Sequence, residues 1–405
     1  MKNSWYVLLM TLSGVIWWWL NYFYHPLLLR FLSIEDFGTF QSLFWIFNIF
    51  SIIIISLSIY LVKEIVKDTS QDSLLYNQSL LKIDIIKLSS IMLVIFFISS
   101  LFINSFLNIN NIWYFVILSI SIFFINIELY IFPFLQWLKK FESISILRVI
   151  APLLRIIAWV WLVSLWFWIY WAIWGFLVSQ ALFICIWYRY MRKYIPYKKI
   201  SYTNSKTFLF KNIHNLKYFF IASIILTIFQ NIDILIVKNM FDWETAGYYA
   251  AVSVVAKFLV FLWLSIETVY YPQLVKWKTF PTKQILKISV YYILMLLGAL
   301  WFFYIFWEII LRLFKWWLEE YIWVIFPLLI YCGLLWYISI IVKTLIAFEK
   351  YVVNYILSIV VVAIVVCIYT FATDMYSLAY IFMIGSIVAL LSTLTSLLMI
   401  KKESR

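Results

Sequence analysis

The stretch from Thr227 to Gln273 constrains the chain more tightly than any other. Two long apolar arms flank a short polar turn, Asp242-Trp243-Glu244-Thr245-Ala246-Gly247. Each arm is long enough to cross a bilayer, which takes about 20 residues at a rise of ~1.5 Å per residue. The first arm carries Gln230, Asn231 and Asp233, and the second carries Lys257 and Glu267. An ionisable group at that depth costs on the order of 2.5–3.5 kcal/mol on insertion scales, so such groups face one another or a cavity. The stretch predicts a transmembrane hairpin with a polar inner face.

The rest of the chain repeats that character. It is 66% hydrophobic and 12% charged, with a mean hydropathy of +1.00. A soluble domain of 405 residues does not show so little charge. Apolar runs mark twelve spans, at about 5–24, 39–62, 83–106, 112–136, 143–166, 169–188, 217–240, 247–271, 286–308, 321–342, 351–371 and 376–400. The prediction is an all-α polytopic membrane protein with about twelve transmembrane helices in two six-helix lobes. Pro133, Pro152 and Pro327 fall inside spans, where the missing N–H favours a kink. Met1-Lys2 and the run behind them look like a signal peptide, but no small-x-small cleavage site follows and the run continues to Tyr24, so it reads as an uncleaved first span. Cys185, Cys332 and Cys367 are far apart and read as small buried hydrophobes.

The basic residues set the orientation. With a cytoplasmic N-terminus, 25 of the 31 lysines and arginines fall in cytoplasmic segments. Only Arg30, Lys238, Arg312 and Lys315 fall outside, and Arg155 and Lys257 lie within spans. That imbalance places both termini inside, in the cell (inner or plasma) membrane. It also accounts for the net charge of +13 without a nucleic-acid partner.

An internal repeat underlies the spans. Leu32 to Phe40 aligns with Phe241 to Tyr249 at an offset of 209, with Glu35 over Glu244 and Gly38 over Gly247. Near the end of span four, Leu138, Phe141 and Glu142 align with Leu345, Phe348 and Glu349 at an offset of 207. These matches predict an N-terminal lobe over 1–188, a basic connector over 189–216 and a C-terminal lobe over 217–405.

Three ordered patterns carry a family resemblance: Asn21…Arg30-x4-Glu35-x2-Gly38, Phe134-Leu135-Gln136-x-Leu138-x2-Phe141, and Asp233…Glu244-x2-Gly247-Tyr248-x-Ala250. Together they resemble the Wzx-type polysaccharide (O-antigen) flippases of the multidrug/oligosaccharidyl-lipid/polysaccharide exporter superfamily. The resemblance implies two lobes around a cavity and movement of a polyprenyl-diphosphate-linked oligosaccharide to the outer leaflet by alternating access. Arg30 and Asn21 join the candidate substrate contacts, and membrane lipids and glycan-assembly proteins are expected as further partners.

One departure from that pattern is systematic. The chain has 7 Gly and 23 Trp, whereas glycine normally makes up roughly 7% of residues and transmembrane helices are richer in it. Trp17-Trp18-Trp19 are consecutive, and six more tryptophans lie between Trp159 and Trp174. Interfacial tryptophan gathers at span ends, but these sit on all faces and at depth. Several, including Trp137, stand where the resembled family has glycine. We read many of them as UGA codons that the source translates as glycine, against the plainer alternative of a tryptophan-rich membrane protein.

Two readings stand for Arg155: an ion pair with Glu128, or contact with a diphosphate, which a guanidinium fork suits. Lys257 is similar, with Asp233 as its natural partner. Arg30 is either a head-group anchor or a substrate contact. Glu128, Asp233 and Glu267 are candidates for binding a coupling proton or sodium ion, and otherwise they neutralise the bases. His25 reads as an interfacial polar residue, and Gly38 and Gly247 as turn residues. No Gly-rich phosphate loop, paired-His metal motif or nucleophile elbow occurs. The chain therefore reads as no enzyme, with no cofactor and no metal. A drug or ion antiporter of the same superfamily is the rival reading, and a membrane glycan polymerase or ligase a more distant one.

Overall fold

The computed structural model describes residues 2–52, 56, 71–109, 111–137, 140–166, 169–191, 208–257, 282–314 and 320–403. Those residues form twelve helices: α1 (Lys2–Phe31), α2 (Ile34–Phe50), α3 (Gln71–Phe106), α4 (Ile112–Trp137), α5 (Phe141–Trp166), α6 (Ile169–Met191), α7 (Phe208–Met240), α8 (Trp243–Ala256), α9 (Thr282–Phe314), α10 (Ile322–Ala347), α11 (Val352–Phe371) and α12 (Met375–Glu403). No strand occurs among the described residues. Eight of the helices carry apolar runs long enough to cross a membrane. The all-α polytopic expectation holds.

The chain divides into two compact units. The first comprises residues 1–24 and 46–220, and the second residues 25–45 and 221–405. In the first, α4 packs on α3 and α6, and α5 packs on α6. In the second, α10 packs on α8, α9, α11 and α12. A helix apolar on every face belongs in a core, and α10 is that helix: 83% of its apolar window is buried, against 11% for α9. The outward faces of α9 expose Leu294, Leu297 and Trp301, as the bilayer's hydrocarbon permits.

Span one was expected to end near Tyr24, but α1 continues to Phe31 with Pro26 inside it. Proline removes one N–H, here the donor for the carbonyl of Tyr22. Membrane helices tolerate that loss where neighbouring groups satisfy the backbone again. The boundary between the compact units falls at Tyr24 and His25, beside this gap in the ladder.

The repeat appears in the turn hydrogen bonds. Leu32 N donates to Leu28 O and Phe37 N to Ser33 O; 209 residues on, Phe241 N donates to Val237 O and Ala246 N to Asp242 O. The caps correspond too. Ser33 Oγ accepts from Asp36 N at 3.1 Å, and Asp242 Oδ2 accepts from Thr245 N at 3.0 Å, satisfying a donor at each helix start. Gly38 and Gly247 are therefore not turn residues. Each is the fifth residue of its helix, α2 or α8.

The second match needs correcting. Lys140 N donates to Leu135 O and Lys350 N to Leu345 O, at 3.0 and 2.9 Å, so the two helix ends correspond at an offset of 210. The offset of 207 puts Glu142 in the first turn of α5 but Glu349 in a turn. Glu349 holds the left-handed φ of 64° that closes α10. There the six-to-one bond from Lys350 is joined by one from Glu349 N to Ile346 O.

Cysteine placement also differs from expectation: Cys332 is buried, but Cys185 and Cys367 are exposed. Glu267, most of the basic connector and the far half of the second hairpin arm lie outside the described residues.

Candidate substrate and coupling sites

In the first unit, α5 carries Arg155 fourteen residues beyond its start at Phe141, or about 20 Å along the helix axis at 1.5 Å per residue. Arg155 Nη1 donates to Asn21 Oδ1 at 3.0 Å. The amide of Asn21 is aimed by its own donation from Nδ2 to Trp17 O, one turn back on α1, at 2.7 Å. Arg155 Nη2 stands 3.8 Å from Glu128 Oε1 on α4. That is a loose pair, since a charge-assisted N–H···O⁻ bond is about 2.7–2.9 Å long. Arg155 Nε is buried with no hydrogen-bond partner among the described residues. The guanidinium carbon lies 5.4 Å from the ring centre of Phe176 and 5.9 Å from that of Trp159, within reach of an aromatic face. The guanidinium is thus positioned by Asn21 and the rings but makes only one short hydrogen bond among the described residues. Its remaining donors suit a planar or tetrahedral oxyanion.

The second unit holds a different arrangement. Asp233 on α7 is fully buried, and Lys257, just past α8, is 3% exposed. Lys257 Nζ is 3.0 Å from Asp233 Oδ1. The other carboxylate oxygen accepts from Ser253 Oγ at 2.6 Å. The backbone N–H of Lys257 donates to Ser253 O at 2.9 Å, so the serine and lysine follow one another by a helical turn. Trp45 of α2 faces the ammonium, its ring centre 4.5 Å from Nζ. Here both oxygens of the acid and the face of the base are occupied.

The remaining candidates are separate. Arg30 is exposed in the last turn of α1. His25, expected at an interface, is buried, with Nδ1 2.7 Å from Gln41 Nε2. Among the described residues, no group of three His, Cys, Asp or Glu could hold a metal ion.

Three residues were not singled out from sequence. Asn126 and Gln180 are buried on α4 and α6, and neither amide has a hydrogen-bond partner among the described residues. Their signal in the sequence is an uncharged amide inside an apolar run, weaker than that of a charge. Lys238, counted as an outer charge, is 2% exposed. Its ammonium is 3.8 Å from the ring centre of Trp243, and Glu35 and Asp36 are the acids that act on it.

These features describe a many-helix protein whose apolar helices are long enough to cross a membrane, with ionisable groups buried among them. The chain belongs to the polysaccharide biosynthesis protein family, which matches residues 2–278. No curated protein matches it in sequence. Its fold is similar to an inward-facing multidrug resistance MATE family transporter of the MOP superfamily, with TM-score 0.72, 12% identity and 96% of each chain covered. A Vibrio cholerae MATE transporter gives TM-score 0.68 at 11% identity, covering 96% of this chain and 94% of that one. The lipid II flippase MurJ in an inward closed conformation gives TM-score 0.56 at 16% identity, covering 96% and 87%. The structural neighbours named here are two transporters and a flippase.

Proposed function

We propose that this chain is a flippase, not an enzyme, that moves a polyprenyl-diphosphate-linked oligosaccharide from the inner to the outer leaflet. The observation that carries this reading is the guanidinium of Arg155. It is held by Asn21, is only loosely paired with Glu128, and its Nε has no hydrogen-bond partner among the described residues. A structural arginine closes its bonds within the protein, whereas one awaiting a diphosphate keeps donors free. The family match and the likeness to a lipid II flippase support a lipid-linked substrate.

The mechanism is alternating access by two lobes, 1–188 and 217–405, joined by the connector at 189–216. Both termini lie in the cytoplasm, and the Ser33 and Asp242 turns lie on the outer side of the cell membrane. The diphosphate meets Arg155, the sugars occupy a hydrated cavity, and the lipid tail stays in the bilayer. Arg30 receives the anion at the outer mouth. An inside-negative potential contributes about 2.3 kcal/mol per charge per 100 mV to moving an anion outward. Lys257 and Asp233 form the second charged centre, where the occupied geometry fits cation coupling or charge pairing better than substrate contact.

That closed pair is also what favours the rival reading, a cation-coupled drug antiporter. Purified protein in proteoliposomes separates the two. Transfer of a fluorescent lipid-linked oligosaccharide between leaflets, lost in Arg155→Ala, is the expected result. Cation-driven export of a drug with no lipid transfer would replace the flippase reading with the antiporter.

A further inference from the structure

The helix starts of the second unit bring together aromatic and acidic side chains that none of the sites above uses. Tyr248 lies in the second turn of α8, Glu320 and Tyr321 lead into α10, and Tyr376 is the second residue of α12. The rings of Tyr248 and Tyr321 stack, with centres 5.2 Å apart and planes 23° from parallel. Tyr248 OH donates to Glu244 Oε1 at 3.2 Å. Glu244, Glu320 and Tyr376 all lie close enough to act on the phenol of Tyr321. Both carboxylates and Tyr376 are exposed, and the stacked pair is partly so. Of these, only Glu244 and Tyr248 belong to the repeated turn, so the platform is not inherited whole from the duplication.

Each component has a reason to be there for a sugar. The C–H face of a pyranose is apolar and lies flat on an aromatic ring, as other flat apolar groups do. Its hydroxyls donate to carboxylates in charge-assisted hydrogen bonds. A binding site needs this combination of apolar area and a few fixed polar groups. Two carboxylates beside the rings also repel a uronic acid and attract an amino sugar. We propose that Tyr248, Tyr321, Glu244 and Glu320 form a carbohydrate platform that takes neutral or amino sugars and rejects acidic ones. The proposal rests on the flippase reading and its orientation, under which this face is where the glycan emerges.

The test uses the full chain in lipid nanodiscs and saturation-transfer NMR with two soluble probes, chitotriose and trigalacturonate. Native protein should transfer saturation to chitotriose and not to trigalacturonate. Tyr321→Ala and Tyr248→Ala should each weaken chitotriose binding by about tenfold, the scale of one aromatic stack. Tyr248→Phe, which keeps the ring, should bind nearly as native does, which separates lost stacking from lost folding. The Glu244→Gln/Glu320→Gln double variant should admit trigalacturonate. Equal binding of both probes by native protein, no chitotriose binding at all, or chitotriose binding indifferent to both alanine variants would overturn the platform. Lipid transfer in proteoliposomes is scored alongside. Transfer without probe binding removes the platform and leaves the flippase, and probe binding without transfer does the reverse.

Discussion

Gly38 and Gly247, related by the repeat, meet backbone to backbone. A Cβ built on Gly38 would stand 2.7 Å from the Cα of Gly247, and one built on Gly247 would stand 2.3 Å from the carbonyl oxygen of Ile34. Neither obstacle is a flexible side chain. The N-terminal ends of α2 and α8 can cross this closely only because both residues lack a side chain. Contacts of this kind are how membrane helices gain packing energy when lipid offers no hydrophobic drive.

Gly247→Ala and Gly38→Ala should therefore each destabilise the protein by about 1–3 kcal/mol, the usual cost of overpacking. Gly298→Ala is the control. It lies within α9 with nothing within 4 Å of its added Cβ, and it should be neutral or gain up to ~1 kcal/mol of helix propensity. Thermal melting in detergent checks all three. Equal melting temperatures for Gly298→Ala and Gly247→Ala would mean the crossing is looser than described.

The caps give a pH dependence. Hydrogen bonds from Thr245 hold the Asp242 carboxyl below its ordinary value of 3.8, and those from Ser377 do the same for Asp374. A depressed carboxylate stabilises above its unfolded pKa and loses that contribution as pH falls through the folded value. Asp242→Ala should cost about 1 kcal/mol at pH 7. The difference from native protein should shrink as pH drops below 3.8. Melting curves at pH 7 and pH 3 measure it, and a difference that does not change with pH would remove the cap from the account.

What the sequence made legible follows from how local each signal is. The turns at Ser33 and Asp242 could be matched because caps and glycines are fixed by residue type within a few positions. The Lys140 and Lys350 ends were misaligned by three residues because a left-handed closing residue is usually glycine, and here the second is Glu349. Continuation of α1 through Pro26 was hidden for a similar reason, since local rules end a helix there and only packing keeps it going. Opposite charges at depth made Arg155–Glu128 and Lys257–Asp233 foreseeable as couples. Their difference in tightness, 3.8 Å against 3.0 Å, depends on interhelical geometry that no sequence pattern records.

Orientation can be read directly. A reporter fused at Arg405 or within 200–206 should report cytoplasm, and one within 108–111 the outer side. An outer signal from 200–206 would reverse the lobe assignment and place the proposed carbohydrate platform on the wrong face.

The tryptophans make a chemical prediction. Trp159 is fully buried, and a Cβ on Gly175 of α6 would come 2.8 Å from its Cα and 2.3 Å from its Cδ1. That backbone approach between α5 and α6 is one that small residues favour on both sides. Peptide sequencing of the protein from its source should find glycine at Trp159, Trp161 and Trp174, encoded by UGA. Tryptophan at these positions, encoded by UGG, would end the idea.

The two charged couples should respond oppositely to removal of both partners. Lys257→Ala leaves Asp233 buried without its base, a change that costs about 3–5 kcal/mol. Removing both members leaves no orphaned charge, so Lys257→Ala/Asp233→Ala should regain most of that stability. Arg155 is expected to differ because its pair with Glu128 is loose and, on the proposed flippase reading, its donors serve a ligand. Arg155→Ala should insert normally and lose transfer of a lipid-linked oligosaccharide. Arg155→Ala/Glu128→Ala should lose it as well, because deleting the acid restores no cation to the substrate. Arg155→Lys should keep part of the activity, having the charge without the bidentate fork. Leaflet transfer measured beside melting temperature separates the two effects. Full transfer in the Arg155→Ala/Glu128→Ala variant would make Arg155 a structural residue and return the substrate anion to Lys257.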